Sequence, residues 1–235
     1  MAAVRAETGV LAEILFPGRC LLCGRWLLLA GSGGLPICAE CRDALVPLSG
    51  ERCRQCSMPL AGERDLCSRC RTAGYLFECN HSVFAYAGPV RELIAAYKFG
   101  GRTRLARLFA PLLSQAVRGC FPGRTVIPVP PRPRRRGPDA VERIARMLQQ
   151  DHGLSVCRCL VRTGGVEQKS LDFASRRENL RGRISVRSDV GPKGIPRAAV
   201  LLDDVFTTGA TADACARVLV AAGCSDVAVV TLAID

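Results

Sequence analysis

The feature that most constrains this chain is a set of four Cys-x-x-Cys pairs that lies between residues 20 and 70. The pairs are Cys20/Cys23, Cys38/Cys41, Cys53/Cys56 and Cys67/Cys70. Two residues between cysteines let one tight turn direct both sulfurs at a single ion, and two such turns complete the tetrahedron of ligands that zinc prefers. The pairs therefore predict two four-thiolate zinc sites, which supply much of the folding energy of a segment with little apolar periodicity.

The spacing alone leaves the grouping of these pairs open. A sequential grouping joins the first two pairs and the last two, whereas an interleaved grouping joins alternate pairs. A disulfide scaffold is the other interpretation, but we find no secretory signal and expect a cytoplasmic protein, in which thiols stay reduced. A saturated four-thiolate site has no position open for substrate, so the predicted role of the zinc is structural or in holding a partner.

The charge balance narrows the class of partner. The chain of 235 residues has 33 Lys and Arg against 21 Asp and Glu, which gives a formal net charge of +12. Such an excess favours a polyanionic partner such as a phosphate, a pyrophosphate or a nucleic acid, without distinguishing among them. No apolar run approaches the roughly 18 residues of a membrane span, so we expect none. The sequence does not indicate an oligomeric state.

Beyond the cysteine pairs, strand-like and helix-like segments alternate. The predicted strands are residues 83–87, 125–130, 154–161, 198–204 and 226–234, and the predicted helices are residues 90–99, 104–117, 139–150, 174–179 and 211–222. This alternation predicts an α/β fold over residues 79–235, with a mainly parallel sheet flanked by helices and a small cysteine-rich module over residues 1–78 in front. In such folds ligands bind beyond the carboxyl ends of the strands.

One predicted strand is followed by an unusual run of polar residues. The apolar run "AAVLL" is followed by Asp203 and Asp204, and adjacent carboxylates in apolar surroundings need cations or hydroxyl donors such as a ribose diol. The next segment, "TTGAT", leads into a helix of small residues. Its glycine permits inward-facing N–H groups, its threonines add hydroxyls, and the helix N-terminus favours an anion. Together these residues predict a ribose 5-phosphate site; an ordinary helix cap explains only Thr208 or Thr211.

These motifs resemble those of a known family. The stretch "VLLDDVFTTGAT" is similar to the phosphoribosyl-pyrophosphate (PRPP) motif of type I phosphoribosyltransferases. Three further stretches, "YKFGG", "QKSLDFASRREN" and "IPVP…RRRG", resemble less specific segments of the same family. With the cysteine pairs in front, the chain resembles the ComF family, whose members join a zinc ribbon to a phosphoribosyltransferase domain and are often linked to DNA uptake. The resemblance covers nearly the whole chain. It implies a type I phosphoribosyltransferase-like fold and a double zinc-ribbon module.

The resemblance also implies roles for individual residues. It implies that Asp203 and Asp204 bind the ribose hydroxyls, and that the 5-phosphate is bound by Thr207, Thr208, Gly209, Ala210 and Thr211. The pyrophosphate side is assigned to Lys98, Arg134, Arg135, Arg136 and Arg176. A cationic loop at the end of a strand suits a pyrophosphate with its Mg²⁺, and a solvated basic run is the alternative for any single arginine.

The implied activity is Mg²⁺-dependent transfer of phosphoribose from PRPP to an acceptor, with release of pyrophosphate. The chain departs from the family where Pro138, Asp139 and Ala140 replace Phe-Asn-Gln, and from purine phosphoribosyltransferases where Thr207 replaces an aspartate that is able to act as base. No catalytic residue is therefore assigned, and the acceptor is not indicated. The alternative is an adaptor without turnover, which senses PRPP or binds single-stranded nucleic acid. Single-stranded DNA or a DNA-processing protein would then be the partner.

Overall fold

The structure is a computed structural model that describes residues 18–27, 34–132, 139–163 and 182–235. Its strands are β1 (Asn80–Ala85), β2 (Thr125–Pro128), β3 (Leu160–Arg162), β4 (Ile184–Val186), β5 (Ala198–Phe206) and β6 (Asp226–Ile234). Four of them form one sheet in the order β1, β6, β5, β2, and every neighbouring pair in it is parallel. Strands β3 and β4 form a separate antiparallel pair.

Helices flank this sheet. They are α3 (Gly88–Lys98), α4 (Ala106–Cys120), α5 (Ala140–Gln150) and α6 (Ala210–Ala221), while the short helices α1 (Ala39–Asp43) and α2 (Ser68–Ala73) belong to the cysteine-rich segment. The 3₁₀ turns cover Thr103–Leu105 and Pro192–Gly194. The predicted α/β fold with a mainly parallel sheet is confirmed. None of the helices in the described ranges is both long and apolar enough to cross a bilayer.

Two apolar layers cover the two faces of the sheet. From β5, Val200 and Leu202 enter one layer with helices α3, α4 and α5, while Ala199 and Leu201 enter the other with α6 and the β3–β4 pair. Successive side chains of a strand point to opposite faces, so a strand that is buried on both sides has a continuous apolar sequence. The run "AAVLL" is therefore the central strand that the sequence predicted.

The cysteine-rich segment packs against both of these layers. Cys20 and Ile37 are buried in the layer of α4, whereas Cys53, Cys56 and Cys70 are buried in the layer of α6. Each half of the segment therefore shares a core with the sheet. The boundary at residue 78 stays a prediction.

The same segment covers the outer edge of β1. The backbone N–H of Leu48 donates to the carbonyl of Val83 at 2.8 Å, and the N–H of Asn80 donates to the carbonyl of Gln55 at 2.8 Å. An edge strand otherwise presents a row of unpaired backbone groups. Here the chain's own cysteine-rich segment supplies partners for that row.

The predicted elements agree with the structure in most places. Helices α3 to α6 and strands β2, β5 and β6 lie where the sequence predicts them, to within a few residues. The first strand differs, because it covers Asn80–Ala85 and not residues 83–87. Its early residues are polar and buried: Ser82 lies 2.7 Å from the hydroxyl of Thr231, and Asn80 donates to Ser82 at 2.8 Å. A buried polar network has no apolar signature, so the pattern missed the start of the strand.

The region around β3 is where the prediction is least accurate. The strand predicted over residues 154–161 reduces to an isolated bridge at Val156 and the short strand Leu160–Arg162. Strand β4 was not predicted, because three residues are too few for an alternating pattern to be detected. The helix predicted over residues 174–179 lies outside the described residues.

Candidate functional site

A small, open cleft lies at the carboxyl end of β5, beside β6 and the N-terminus of α6. It is lined by Asp203, Val205, Phe206, Thr207, Gly209, Ala210, Thr211, Ala212, Val229 and Thr231. This is the end of a parallel sheet at which ligands bind in α/β folds. Most of the residues predicted to bind PRPP meet here, while Asp204 and Thr208 do not line the cleft.

The two adjacent aspartates point to different faces of the sheet. Asp203 lines the cleft, whereas the carboxylate of Asp204 lies on the other face, 2.7 Å from the ammonium of Lys98. This ion pair is largely buried, with side-chain exposures of 9% for Asp204 and 21% for Lys98. Lys98, predicted for the pyrophosphate side, is thus brought to the aspartate pair through Asp204.

The Asp203 carboxyl has a raised pKa, near neutral pH. Burial raises the pKa of Asp203 to about 7, the charge of Asp204 adds to the rise, and Lys98 offsets a part of it. The backbone N–H of Asp204 donates to Asp203 Oδ1 at 2.8 Å. The second carboxylate oxygen is available to a ligand that donates hydroxyl hydrogens.

This raised pKa predicts how stability depends on pH. Between the ordinary value of 3.8 and about 7 the folded state holds a proton that the unfolded state has released, so the wild type loses stability as pH rises through this window. Asp203→Asn keeps the Oδ1 acceptor and cannot ionise. We expect its free energy of unfolding, relative to wild type, to increase by about 2 kcal/mol between pH 5.5 and pH 8. Denaturant titrations of the unliganded proteins at both pH values measure this, and a pH-independent difference would contradict it.

The loop between β5 and α6 is shaped around a glycine. Gly209 has a φ of 72°, and a Cβ built on it would lie 2.7 Å from the Phe206 ring and 3.0 Å from the Tyr75 ring. Only glycine fits this left-handed position against two rings. Among the described residues, the backbone N–H groups of Thr208 and Gly209 have no hydrogen-bond acceptor. Both donors lie at the N-terminus of α6, where N–H groups without an intrahelical acceptor favour an anion.

Contacts from the cysteine-rich side hold this loop. The Tyr75 hydroxyl donates to the carbonyl of Thr208 at 2.8 Å, and the Arg69 guanidinium donates to the carbonyl of Thr207. In α6, the buried Asp213 accepts from the N–H of Leu76 at 2.8 Å. Sequence reasoning missed all of these residues, because no local pattern connects them with a loop more than 130 positions away.

A second group that the sequence did not reveal is cationic. Arg162, at the end of β3, lies close enough to Asp203 to interact with it electrostatically, and Arg132 and Arg183 lie near Arg162. Burial lowers the pKa of Arg162, and the charge of Arg132 lowers it further. The predicted cations Arg134, Arg135, Arg136 and Arg176 lie outside the described residues.

The eight paired cysteines form two clusters. One contains Cys20, Cys23, Cys38 and Cys41, the other contains Cys53, Cys56, Cys67 and Cys70, and within each the four sulfurs lie within 4.8 Å of one another. The sulfurs of Cys56 and Cys67 are 3.7 Å apart. Four ligands at the Zn–S distance of 2.3 Å are spaced by about 3.8 Å in a tetrahedron. The clusters thus have the dimensions of zinc sites, and the sequential grouping is confirmed.

Each cluster contains a thiol with a raised pKa. Burial raises the pKa of the Cys56 thiol to about 12, and the hydrogen bond with Cys38 raises the pKa of Cys41 to about 12. Without a cation these thiols stay protonated, whereas a coordinated divalent metal deprotonates them. The second cluster is fully buried, while Cys23 in the first is exposed. Two structural four-cysteine zinc sites are therefore the interpretation of this module.

Comparison with known proteins gives two matches. Residues 11–71 match the family model described as a double zinc ribbon domain. Over 232 residues the chain is 25% identical to the Competence protein ComFC of Streptococcus pneumoniae (strain ATCC BAA-255 / R6). That alignment covers 89% of this chain and 96% of the relative, so the likeness extends through both the cysteine-rich segment and the sheet.

Proposed function

We propose that this protein, a member of the ComF family, binds PRPP in the cleft at the carboxyl end of β5 and transfers its phosphoribose to an acceptor. One observation carries the proposal. A carboxylate at a strand end, Asp203, faces a loop whose N–H groups at Thr208 and Gly209 have no acceptor among the described residues. A carboxylate that accepts hydrogen bonds from hydroxyls, beside N–H groups that donate to an anion, suits a ribose that carries a phosphate.

Each part of PRPP has a counterpart in this arrangement. The 5-phosphate binds in the loop, where Thr207 and Thr211 line the cleft and helix α6 directs its N-terminus at the anion. The ribose hydroxyls donate to Asp203. Asp204 supports this contact from the other face of the strand, where its pairing with Lys98 fixes the strand end.

The pyrophosphate of PRPP is proposed to lie toward Arg162 and Arg132, because Arg162 interacts electrostatically with both Arg132 and Asp203. PRPP carries Mg²⁺ on its phosphate oxygens. The described protein residues offer one carboxylate oxygen without a hydrogen-bond partner in the cleft, that of Asp203, which is too few for an all-protein magnesium site. Mg²⁺ therefore enters with the substrate, and its role is to neutralise the leaving pyrophosphate.

Transfer would then proceed by electrostatic stabilisation. As the bond from the sugar to pyrophosphate lengthens, positive charge develops on the ribose, and the ionised Asp203 is placed to stabilise it. The arginines near Asp203 stabilise the negative charge on the departing pyrophosphate. Neither role requires a protein base, so the acceptor must supply a nucleophile of its own.

The name of the relative, a competence protein, supports a proposal on the biological setting. We propose that this chain also acts in competence, where DNA is taken up. Its net charge of +12 suits work beside nucleic acid.

The first test is binding of PRPP. Calorimetric titration of PRPP with Mg²⁺ is expected to show binding to wild type and no measurable binding to Asp203→Asn/Asp204→Asn. The variant lacks both the charged acceptor in the cleft, Asp203, and the ion pair of Asp204 with Lys98 that supports it. Of the single variants, Asp203→Asn should lose more affinity, since only Asp203 lines the cleft.

The matched control is Asp226→Asn, which removes an exposed carboxylate at the opposite end of the sheet. This control should bind PRPP as wild type does, and all variants should retain their zinc. Equal PRPP affinity in wild type and the double variant would remove Asp203 and Asp204 from the site. No binding by folded, zinc-loaded wild type would end the proposal.

A PRPP-binding adaptor without turnover is the second candidate, and the lining of the cleft favours it on one point. Asp203 is the one ionisable side chain in the described lining, so no second group is present there to act as a base toward an acceptor. Pyrophosphate release that depends on an added acceptor would identify a transferase. PRPP binding without such release across nucleophile classes would identify the adaptor.

A further inference from the structure

We infer that Tyr75 and Arg69 are positioning residues through which the second cysteine cluster sets the shape of the phosphate-binding loop. The inference rests on the proposed function for the identity of its ligand. It goes beyond that function by making the zinc-ribbon module a working part of the binding site.

The argument begins with the geometry of the peptide unit. In a trans peptide the carbonyl of one residue and the N–H of the next point in opposite directions. Tyr75 binds the carbonyl of Thr208 and Arg69 binds the carbonyl of Thr207. These contacts turn the N–H groups of Gly209 and Thr208 away from the cysteine-rich side. The two N–H groups that lack an acceptor thus belong to the same two peptide units as the carbonyls that Tyr75 and Arg69 bind.

Packing fixes the same loop from behind. The Tyr75 and Phe77 rings stack with centroids 4.7 Å apart, and Phe206 meets Phe77 edge to face at 5.9 Å. Gly209 lies directly against Tyr75 and Phe206. The ring of Tyr75 thereby stops the loop from moving back, while its hydroxyl holds the carbonyl.

The two positioning residues are tied to the second cluster. Arg69 belongs to α2, which begins directly after Cys67 and contains Cys70, and Tyr75 follows α2 by two residues. Leu76, the next residue, donates its N–H to the buried Asp213 of α6. Both cysteines belong to the second cluster, so a zinc ion bound there would hold the helix that carries Arg69.

The first cluster makes no corresponding contact among the described residues. It packs in the other apolar layer, with α4. By thermodynamic linkage, a phosphate ligand and the metal of the second cluster should stabilise each other, whereas the first cluster should be indifferent to the ligand.

The test uses two variants with matched controls in the full-length, zinc-loaded protein. Tyr75→Phe keeps the ring and removes the hydroxyl, and its control is Tyr86→Phe. Arg69→Ala removes the guanidinium, and its control is Arg71→Ala, which removes an arginine of the same helix that donates to Leu66 within the ribbon. Amide hydrogen exchange is measured without ligand at Ala210 and Asp213, whose N–H groups donate to the loop residues Thr208 and Gly209, and PRPP with Mg²⁺ is titrated by calorimetry.

We expect both test variants to exchange the loop amides about tenfold faster and to bind PRPP about tenfold more weakly than wild type. All four variants should keep the zinc content of wild type. The two control variants should also match wild type in amide exchange and in PRPP affinity. Unchanged loop exchange in Tyr75→Phe and Arg69→Ala would overturn the inference, whatever their PRPP affinity. If wild type fails to bind PRPP, the proposed function falls, while the exchange data still decide whether these residues position the loop.

Discussion

Cys56→Ser is expected to cost more stability than any other single change considered, about 5 kcal/mol or more. Cys56 is fully buried in the second cluster, and its carbonyl accepts from the Asn80 side chain at 2.8 Å. A structural zinc contributes roughly 10–16 kcal/mol to the folding of a small metal-dependent domain. Loss of one ligand therefore removes most of the folding free energy that the zinc of the second cluster contributes. This cluster lies where the cysteine-rich segment packs against β1. Denaturant unfolding together with zinc stoichiometry measures the effect.

The control for this prediction is Cys23→Ser. It removes a ligand from the first cluster, and its side chain is exposed. We expect the same loss of one zinc per chain but a clearly smaller loss of stability, because the first cluster is only partly buried. Equal costs for the two variants would show that burial of the second cluster is irrelevant to stability.

Gly209→Ala is expected to weaken PRPP binding at least 100-fold and to destabilise the fold by about 2–4 kcal/mol. The left-handed φ of 72° costs an alanine roughly 1–2 kcal/mol. The new methyl also meets the Phe206 ring at 2.7 Å and the Tyr75 ring at 3.0 Å, and Phe206 is buried against Phe77. The loop must therefore shift, which misplaces the N–H groups that bind the phosphate.

Gly153→Ala separates the two costs. Gly153 has a φ of 63°, and a Cβ there meets no atom within 4 Å. Its substitution should cost about 1 kcal/mol for the backbone alone and should leave PRPP affinity unchanged. If Gly209→Ala proves no worse than Gly153→Ala in either measurement, the close approach to the two rings has no part in shaping the site.

The sequence predicted those parts of the molecule that local chemistry determines. Residues 198–211 combine a strand that is buried on both faces with a turn of threonines and glycine. The strand and the turn can each be recognised from the residues within them. The cysteine pairs are local in the same sense, because the short turn within each pair directs both of its sulfurs at one metal ion. Both clusters and the loop are therefore found where the sequence predicts them.

What the sequence could not show depends on contacts between distant segments. Nothing near Tyr75 indicates that its hydroxyl binds Thr208, and nothing near Arg162 indicates a neighbouring Asp203. The adjacent aspartates looked like one site, yet strand geometry sends them to opposite faces, and Lys98 neutralises the one outside the cleft. Alternation along a strand predicts such a split, but it does not say which face carries the ligand.

The cover that the cysteine-rich segment forms over the edge of β1 bears on the fate of newly synthesised chains. Until the metal is loaded, the backbone groups of residues around Val83 lack the partners that Leu48 and Gln55 supply. Such an edge is a template for pairing with the strands of other copies. We therefore expect zinc-starved cells to accumulate more of this protein in inclusion bodies than zinc-replete cells.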